Sequence, residues 1–191
     1  MKWLSFIIYV FTTAFSPGPN NCASMSNMAK TGIKKGMPFN FGLFASQILL
    51  MGVCVAFCSW LEKLLPSVEK PMRFIGAAYI LYLAWKTYTS ETDISSDKGG
   101  GFKEGFLLNS FNVKYLLYCV VSLESYMIPA YPDNTFMVSI MAFALCLVAF
   151  LSNFLWGVLG TAFGRIFSNH SKLFNTIMAL MLVCCAVSII L

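Results

Sequence analysis

Ser16-Pro17-Gly18-Pro19-Asn20-Asn21 interrupts an apolar N-terminal run in which a helix would otherwise continue unbroken. Each proline lacks an N–H, and each ring clashes with the carbonyl four residues earlier. The pair therefore frees the carbonyls of Thr13 and Phe15, while Gly18 loosens the backbone between them. In hydrocarbon such groups must find partners. Non-helical backbone at membrane depth persists only where protein or a water-filled cavity supplies them, so the break predicts a polar binding region. Asn20 and Asn21 are strong N-cap residues. They predict a half-helix that restarts there with its free N–H groups and positive dipole end turned into the break, a place suited to a carboxylate. The competing reading is a proline kink that serves packing alone.

Composition supplies the membrane. The 191 residues are 58% hydrophobic and 11% charged, with a mean hydropathy of +0.73, far from the roughly 25% charged residues of a soluble domain. With about 20 apolar residues per span, the chain has room for roughly six helices and no soluble domain. The net charge of +5 does not point to nucleic acid, because the basic residues are scattered through short segments between apolar runs, as topology signals are. Lys2 ahead of an apolar run resembles a signal peptide, but no small-residue cleavage site precedes Pro17, so the first helix is expected to stay. The seven cysteines fall in apolar stretches without C-x-x-C or metal spacing, which predicts buried free thiols.

The predicted spans are Trp3–Met28, Phe39–Trp60, Met72–Thr89, Glu104–Leu123, Thr135–Phe163 and Leu173–Leu191. The second half of the first span, with Ser24, Ser26 and Asn27, is too small and polar for lipid and belongs inside the bundle. Lys30, Lys34, Lys35, Gly32 and Gly36 read as a basic loop, and Pro66 and Pro71 as another. Gln47 is the one strongly polar side chain midway along the second span. Tyr79 and Tyr82 read as core packing ahead of cavity lining. Residues 91–101, with the triplet Gly99-Gly100-Gly101, are composed as a linker and divide the chain into repeats 1–90 and 102–191 within one transmembrane domain. Three spans per half force opposite orientations. The expected fold is thus an all-α membrane protein of six helices in two inverted three-helix repeats, with broken helices near the midplane.

Each half carries an interrupting polar motif in its first span. The second is Asn109-Ser110-Phe111-Asn112-Val113-Lys114. An ammonium about ten residues, or some 15 Å of helix, from either end of its span must face the bundle interior, a wet cavity or a partner; the alternative is snorkelling to the nearer interface. Asn153 and Trp156 lie deep in the fifth span, where Asn153 serves either a site or a helix–helix hydrogen bond. Gly160-x-x-x-Gly164 permits a close helix crossing, within one chain or in a homodimer. His170 carries no assigned role. Lys2, Lys63, Lys70 and Arg73 lie on one face, and Lys30, Lys34, Lys35, Lys86, Lys98, Lys103, Arg165 and Lys172 on the other. The richer face should be cytoplasmic, which puts both termini outside.

The run PGPN followed by Gly32, Gly36 and Gly42 resembles the LysE/RhtB family of amino-acid exporters. Phe74-Ile-Gly-Ala-Ala-Tyr-Ile-Leu-Tyr-Leu-Ala-Trp85 resembles that family's third-helix motif, and Phe111-Asn-Val-Lys114 falls where most members carry Asn-Pro-Lys. Val113 in place of proline makes a second helix break less certain, and Asn153 stands where many members have an aspartate. The doubled asparagine, the Asn-Val-Lys form and the tail Leu180–Ile189 are most similar to the cysteine/O-acetylserine subgroup. The resemblance implies proton-driven efflux of a small amino acid across a bacterial inner membrane, with Pro17, Gly18, Pro19, Asn20, Asn21, Asn112, Lys114 and Asn153 as the binding residues. In that reading the half-helix at Asn20 receives the carboxylate, and the carbonyls near Thr13 and Phe15 receive the ammonium.

No Walker, zinc-protease or G-x-S-x-G motif occurs, so a transporter is expected, neither an enzyme nor a cofactor protein. Two alternatives stay open: a membrane thiol–disulfide carrier using Cys22 and Cys119, and an exporter of homoserine, threonine, lysine or leucine type.

Overall fold

The computed structural model describes residues 3–89, 99–132, 134–166 and 171–190, all of them helices and short connections. Among the described residues seven helices follow one another: α1 (Trp3–Phe15), α2 (Pro19–Thr89), α3 (Phe102–Ser110), α4 (Val113–Ser122), α5 (Ile128–Ala130), α6 (Thr135–Ile166) and α7 (Ser171–Ile190), with a π-helical turn Leu123–Met127 between α4 and α5. The linker residues 91–98, Lys2 and His170 lie outside the described residues.

Burial is inverted relative to a soluble protein. Asn20, Asn21, Asn40, Gln47, Asn109, Asn112 and Asn153 are buried, while Leu4, Ile7, Ile8 and Phe11 of α1 are exposed. Along α6 the exposed residues Phe136, Ile140, Phe143, Leu147, Leu151, Leu155 and Leu159 recur every three or four positions. One greasy stripe thus faces outward while Ser152 and Asn153 face inward. Lipid is the only solvent that suits this arrangement. Two of the described helical stretches, Pro19–Phe57 and Thr135–Phe163, are long and apolar enough to cross a bilayer, and the bent pair Phe102–Ser110 and Val113–Ala130 makes a third candidate.

Several expected loops are absent. The basic stretch around Lys30 to Gly36 is helical on both sides of a single non-helical residue, Gly32 (φ 75°, ψ 171°). Gly32 is the only described residue with positive φ. Without a Cβ it makes in one residue a turn that otherwise needs a loop. A second interruption falls at Phe57 (φ −127°, ψ 26°), and helical backbone then runs through the predicted loop at Pro66 and Pro71. The break after α1 occupies residues 16–18, and α2 begins at Pro19. The restart expected at Asn20 is therefore corrected by one residue: a proline's fixed φ and missing N–H suit it to the first helical position. The second break is present without a proline, and α3 and α4 meet at 61°.

The small half-helix lies inside, as expected, with Ser24, Ser26 and Asn27 buried. Ser24 Oγ donates to the Asn153 carbonyl (2.7 Å) and lies 3.0 Å from the Asn40 side-chain amide. Tyr79 stacks on Tyr82 (6.2 Å between centroids), and its hydroxyl donates to the Glu104 carbonyl at 3.3 Å. Gly160 abuts the Met25 backbone, so this glycine makes its close crossing within the chain.

The crossing of α2 with α3 is close on both sides. A Cβ on Gly42 would land on the Phe102 carbonyl, and one on Gly105 would land on the Phe39 carbonyl. Backbone meets backbone on both sides, the close approach that small residues permit between membrane helices. Gly42→Ala or Gly105→Ala should each destabilise the folded protein by about 1–3 kcal/mol, read as a lowered midpoint of thermal unfolding in detergent. Gly52→Ala, where a Cβ meets nothing within 4 Å, should leave that midpoint unchanged or raise it.

Candidate functional site

The end of α1 is the site's foundation. A helix that stops in apolar surroundings leaves its last carbonyls without intrahelical donors. Here each one is held. The Thr12 carbonyl accepts from Ser16 N (3.1 Å) and the Thr13 carbonyl from Ser16 Oγ (3.0 Å). The Ala14 carbonyl accepts from Asn21 Nδ2 (3.0 Å) and Ser152 Oγ (2.8 Å), and the Phe15 carbonyl from Trp156 Nε1 (3.2 Å). Asn21 Nδ2 also reaches the Ser16 carbonyl at 2.9 Å.

Lys114 completes the set. Its ammonium donates to the Ser16 carbonyl (2.9 Å), to Ser16 Oγ (2.9 Å) and, at 3.4 Å, to the Pro17 carbonyl. The cation thus sits at the negative end of the α1 dipole, where a charged donor is most favoured. A Cβ on Gly18 would stand 2.8 Å from Lys114 Nζ and 3.0 Å from its Cδ. Glycine at 18 therefore leaves the lysine stem room to lie across the break, and Lys114 faces the interior instead of snorkelling.

This placement corrects the expected role of the freed carbonyls. Those of Thr13 and Phe15, assigned to a substrate ammonium, are occupied by Ser16 and Trp156. The oxygens that hold a cation are those of Ser16 and Pro17, and the cation belongs to the protein.

The asparagines join the two breaks instead of capping the first. Asn20 Nδ2 donates to Asn109 Oδ1 (2.7 Å) on α3, and Asn20 Oδ1 accepts from Asn112 Nδ2 (2.8 Å) at the start of α4. Asn109 passes the chain on to Ser46 Oγ at 3.0 Å. Asn112 also N-caps α4, its side-chain oxygen accepting from Tyr115 N at 3.3 Å. A good cap ends α3 and starts α4 without a proline, which explains why Val113 does not remove the break.

All eight residues expected at the site line one of two adjoining cavities. A narrow cleft of about 40 Å³ is walled by Gly18, Pro19, Asn20, Asn21, Asn112, Lys114 and Asn153. A wider cavity of about 320 Å³ is bordered by Pro17, Gly18, Pro19 and Lys114. The wider cavity is at the lower end of the range of small-molecule sites, roughly 300–1,000 Å³, and the cleft opens from it as a narrow recess of water-sized room. Lys114 and Tyr118 lie in both walls. The reading of the sequence missed Tyr118, Tyr115 and Ser152 and did not place Gln47 here. The i, i+4 spacing of Lys114 and Tyr118, which puts them on one helix face, was the available signal for the tyrosine.

The cysteines assort differently from the carrier reading. Cys22 Sγ lies 3.9 Å from Cys185 Sγ, whereas Cys119 shares an apolar cluster with Cys54. Cys22 and Cys119 belong to separate apolar clusters and are not brought together.

Comparison with known proteins finds relatives along almost the whole chain. The family profile described as LysE type translocator matches residues 11–191. The chain is 31% identical over 188 residues to a protein of Klebsiella pneumoniae subsp. pneumoniae named cysteine/O-acetylserine efflux protein, covering 97% of this chain and 95% of the relative. Proteins of the same name from Salmonella choleraesuis and Salmonella typhimurium are 31% identical over 187 residues, with the same coverage of both chains. No solved structure matches the chain significantly.

Asn112→Ala removes a cap and leaves Asn20 Oδ1 unpaired. It should cost about 1 kcal/mol for the cap and a further 1–3 kcal/mol for the orphaned oxygen, seen as a lowered unfolding midpoint. Asn112→Asp, which keeps the cap acceptor but cannot donate to Asn20, should restore part of the loss.

Proposed function

The chain belongs to the LysE type translocator family, and from that premise we propose that it exports cysteine and O-acetylserine from the cell, driven by the proton gradient. It is a transporter and not an enzyme. The names of the relatives, matched over almost their whole length, support the choice of substrates. The proposal includes six spans in two inverted repeats in a bacterial inner membrane with both termini outside. The two broken helices that meet at Asn20 and Asn112 support the repeats.

The observation that carries the mechanism is the Lys114 ammonium on the Ser16 carbonyl, 2.9 Å away, at the wall of the cleft. An amino acid presents one ammonium and one carboxylate. The first turn of α2 leaves the N–H groups of Asn20 and Asn21 without intrahelical carbonyls, so the carboxylate docks there, at the positive end of the helix. The substrate ammonium competes for the Ser16 and Pro17 oxygens that Lys114 holds in the unloaded protein. Once displaced, Lys114 is free to pair with the carboxylate or to give up its proton. Either event ties substrate arrival to a change in the one cation at the break, and proton release would couple export to the gradient.

The direct test is efflux of labelled cysteine and O-acetylserine from loaded vesicles, with and without a proton gradient. Wild type should empty faster with the gradient. Lys114→Met keeps most of the side chain's volume and removes an ion whose desolvation costs several kcal/mol, so it should reach the membrane in normal amount yet lose gradient-driven efflux. Lys114→Arg separates the two roles, since arginine keeps its charge and resists deprotonation. Coupled transport by the arginine variant identifies charge pairing, and binding without coupling identifies proton carriage. Replacing Cys22 and Cys119 together with serine should leave efflux intact; loss of a thiol-exchange activity in a protein that never exported would favour the carrier reading.

A further inference from the structure

Among the described residues five polar side-chain atoms are buried without a hydrogen-bond partner, and three of them belong to residues that line the cleft. Gln47 Oε1, Tyr118 OH and Asn153 Nδ2 are buried without a hydrogen-bond partner, and their residues are 1%, 2% and 3% exposed. They come from three separate helices, α2, α4 and α6, yet all three residues line the same cleft. A buried polar group without a partner destabilises a fold, and in a native protein it calls for an ordered water, an ion or a ligand. One such atom could be incidental. Three on one cleft beside Lys114 make a set awaiting an occupant.

We propose that Gln47, Tyr118 and Asn153 form the pocket that reads the substrate's side chain, and that they select a small, uncharged side chain carrying a hydrogen-bonding group. This rests on the export reading above and extends it from the amino-acid backbone to the side chain. The ammonium and carboxylate are already provided for at the two helix ends, so the remaining polar atoms are available to whatever the Cα bears. As placed, the set offers an acceptor at Gln47, a donor at Asn153 and a hydroxyl at Tyr118 that does either. If either amide is turned over, donor and acceptor exchange places and the pocket still binds both kinds of group.

The selectivity follows from what each class of side chain does there. An ester carbonyl, a hydroxyl or a thiol satisfies the waiting atoms. An aliphatic side chain of equal length keeps them buried and unpaired, and a site built for hydrogen bonds rejects such an analogue far more strongly than an apolar pocket rejects a change of one methylene. A cationic side chain meets Lys114 in the same wall and is repelled. Gln47 is held in register by its own backbone, whose carbonyl accepts from Tyr115 OH at 3.2 Å. Tyr118 is held by stacking on Tyr9, 6.2 Å between centroids. The pocket is therefore presented by supported side chains.

The test compares O-acetylserine with 2-aminohexanoate, whose unbranched side chain has similar length and no polar atom. It uses both vesicle efflux and the shift each ligand causes in the unfolding midpoint of the purified full-length protein. Wild type should favour O-acetylserine by about 100-fold or more. Asn153→Leu, Gln47→Met and the minimal change Tyr118→Phe should each cut that ratio at least tenfold by weakening O-acetylserine. The unliganded variants should melt at the wild-type temperature or higher, because an unpaired polar atom has been removed. A purely structural role predicts the reverse, a lower midpoint with the ratio intact, and that result overturns the pocket. So does an unchanged ratio in Tyr118→Phe, the variant least able to disturb folding. A wild type that neither transports nor is shifted by either amino acid overturns the export reading beneath it.

Discussion

Hydrocarbon offers no hydrogen bonds, so a helix can end inside a membrane only where the protein itself supplies donors for its last carbonyls. The end of α1 meets this demand with residues from four places: Ser16 in the break, Asn21 on α2, Lys114 on α4, and Ser152 and Trp156 on α6. Side chains of α4 and α6 are gathered at the end of α1 to meet that need. The polar interior, with asparagines buried where a soluble protein would bury leucines, follows from the same constraint.

Lys114 holds a special place among those donors because the others are neutral and permanent. A serine hydroxyl or an indole N–H has no alternative ionisation state near neutral pH, whereas an ammonium can be outcompeted by another ammonium or lose a proton. The proline break thus creates a cation site, and the chain fills that site with a residue able to leave it. Gly18 allows the approach, since any side chain there would strike the lysine.

The elements legible in the sequence were those with a backbone signature. Pro17 and Pro19 announce a break whatever surrounds them, and Lys114 announces an interior position because the alternatives are so costly. What stayed hidden depends on tertiary placement. Asn20 and Asn21 have the chemistry of caps, and only the fold shows that Pro19 takes the helix start and releases both side chains for other work. Asn112 looked like a site residue weakened by the loss of a following proline, whereas its capping of α4 makes that proline dispensable. Gly32 and Phe57 turn α2 without loops because one residue out of helical geometry suffices, and composition marks no such point at a phenylalanine. Tyr118 and Cys185 take their meaning from neighbours far away in sequence, Tyr9 for one and Cys22 for the other.

The asparagine that joins the halves also bears on how they can move. Asn20 spends its amide nitrogen on Asn109 and its amide oxygen on Asn112, one residue on each side of the second break. Sliding one half against the other strains both bonds together, because a planar amide cannot turn toward one partner while keeping the other. Such a joint behaves as a latch with two settings, closed or open. At roughly 0.5–1.5 kcal/mol net for each bond, releasing it costs only a few times the thermal energy. The two breaks are then held in register by a fastening weak enough to yield to a modest push.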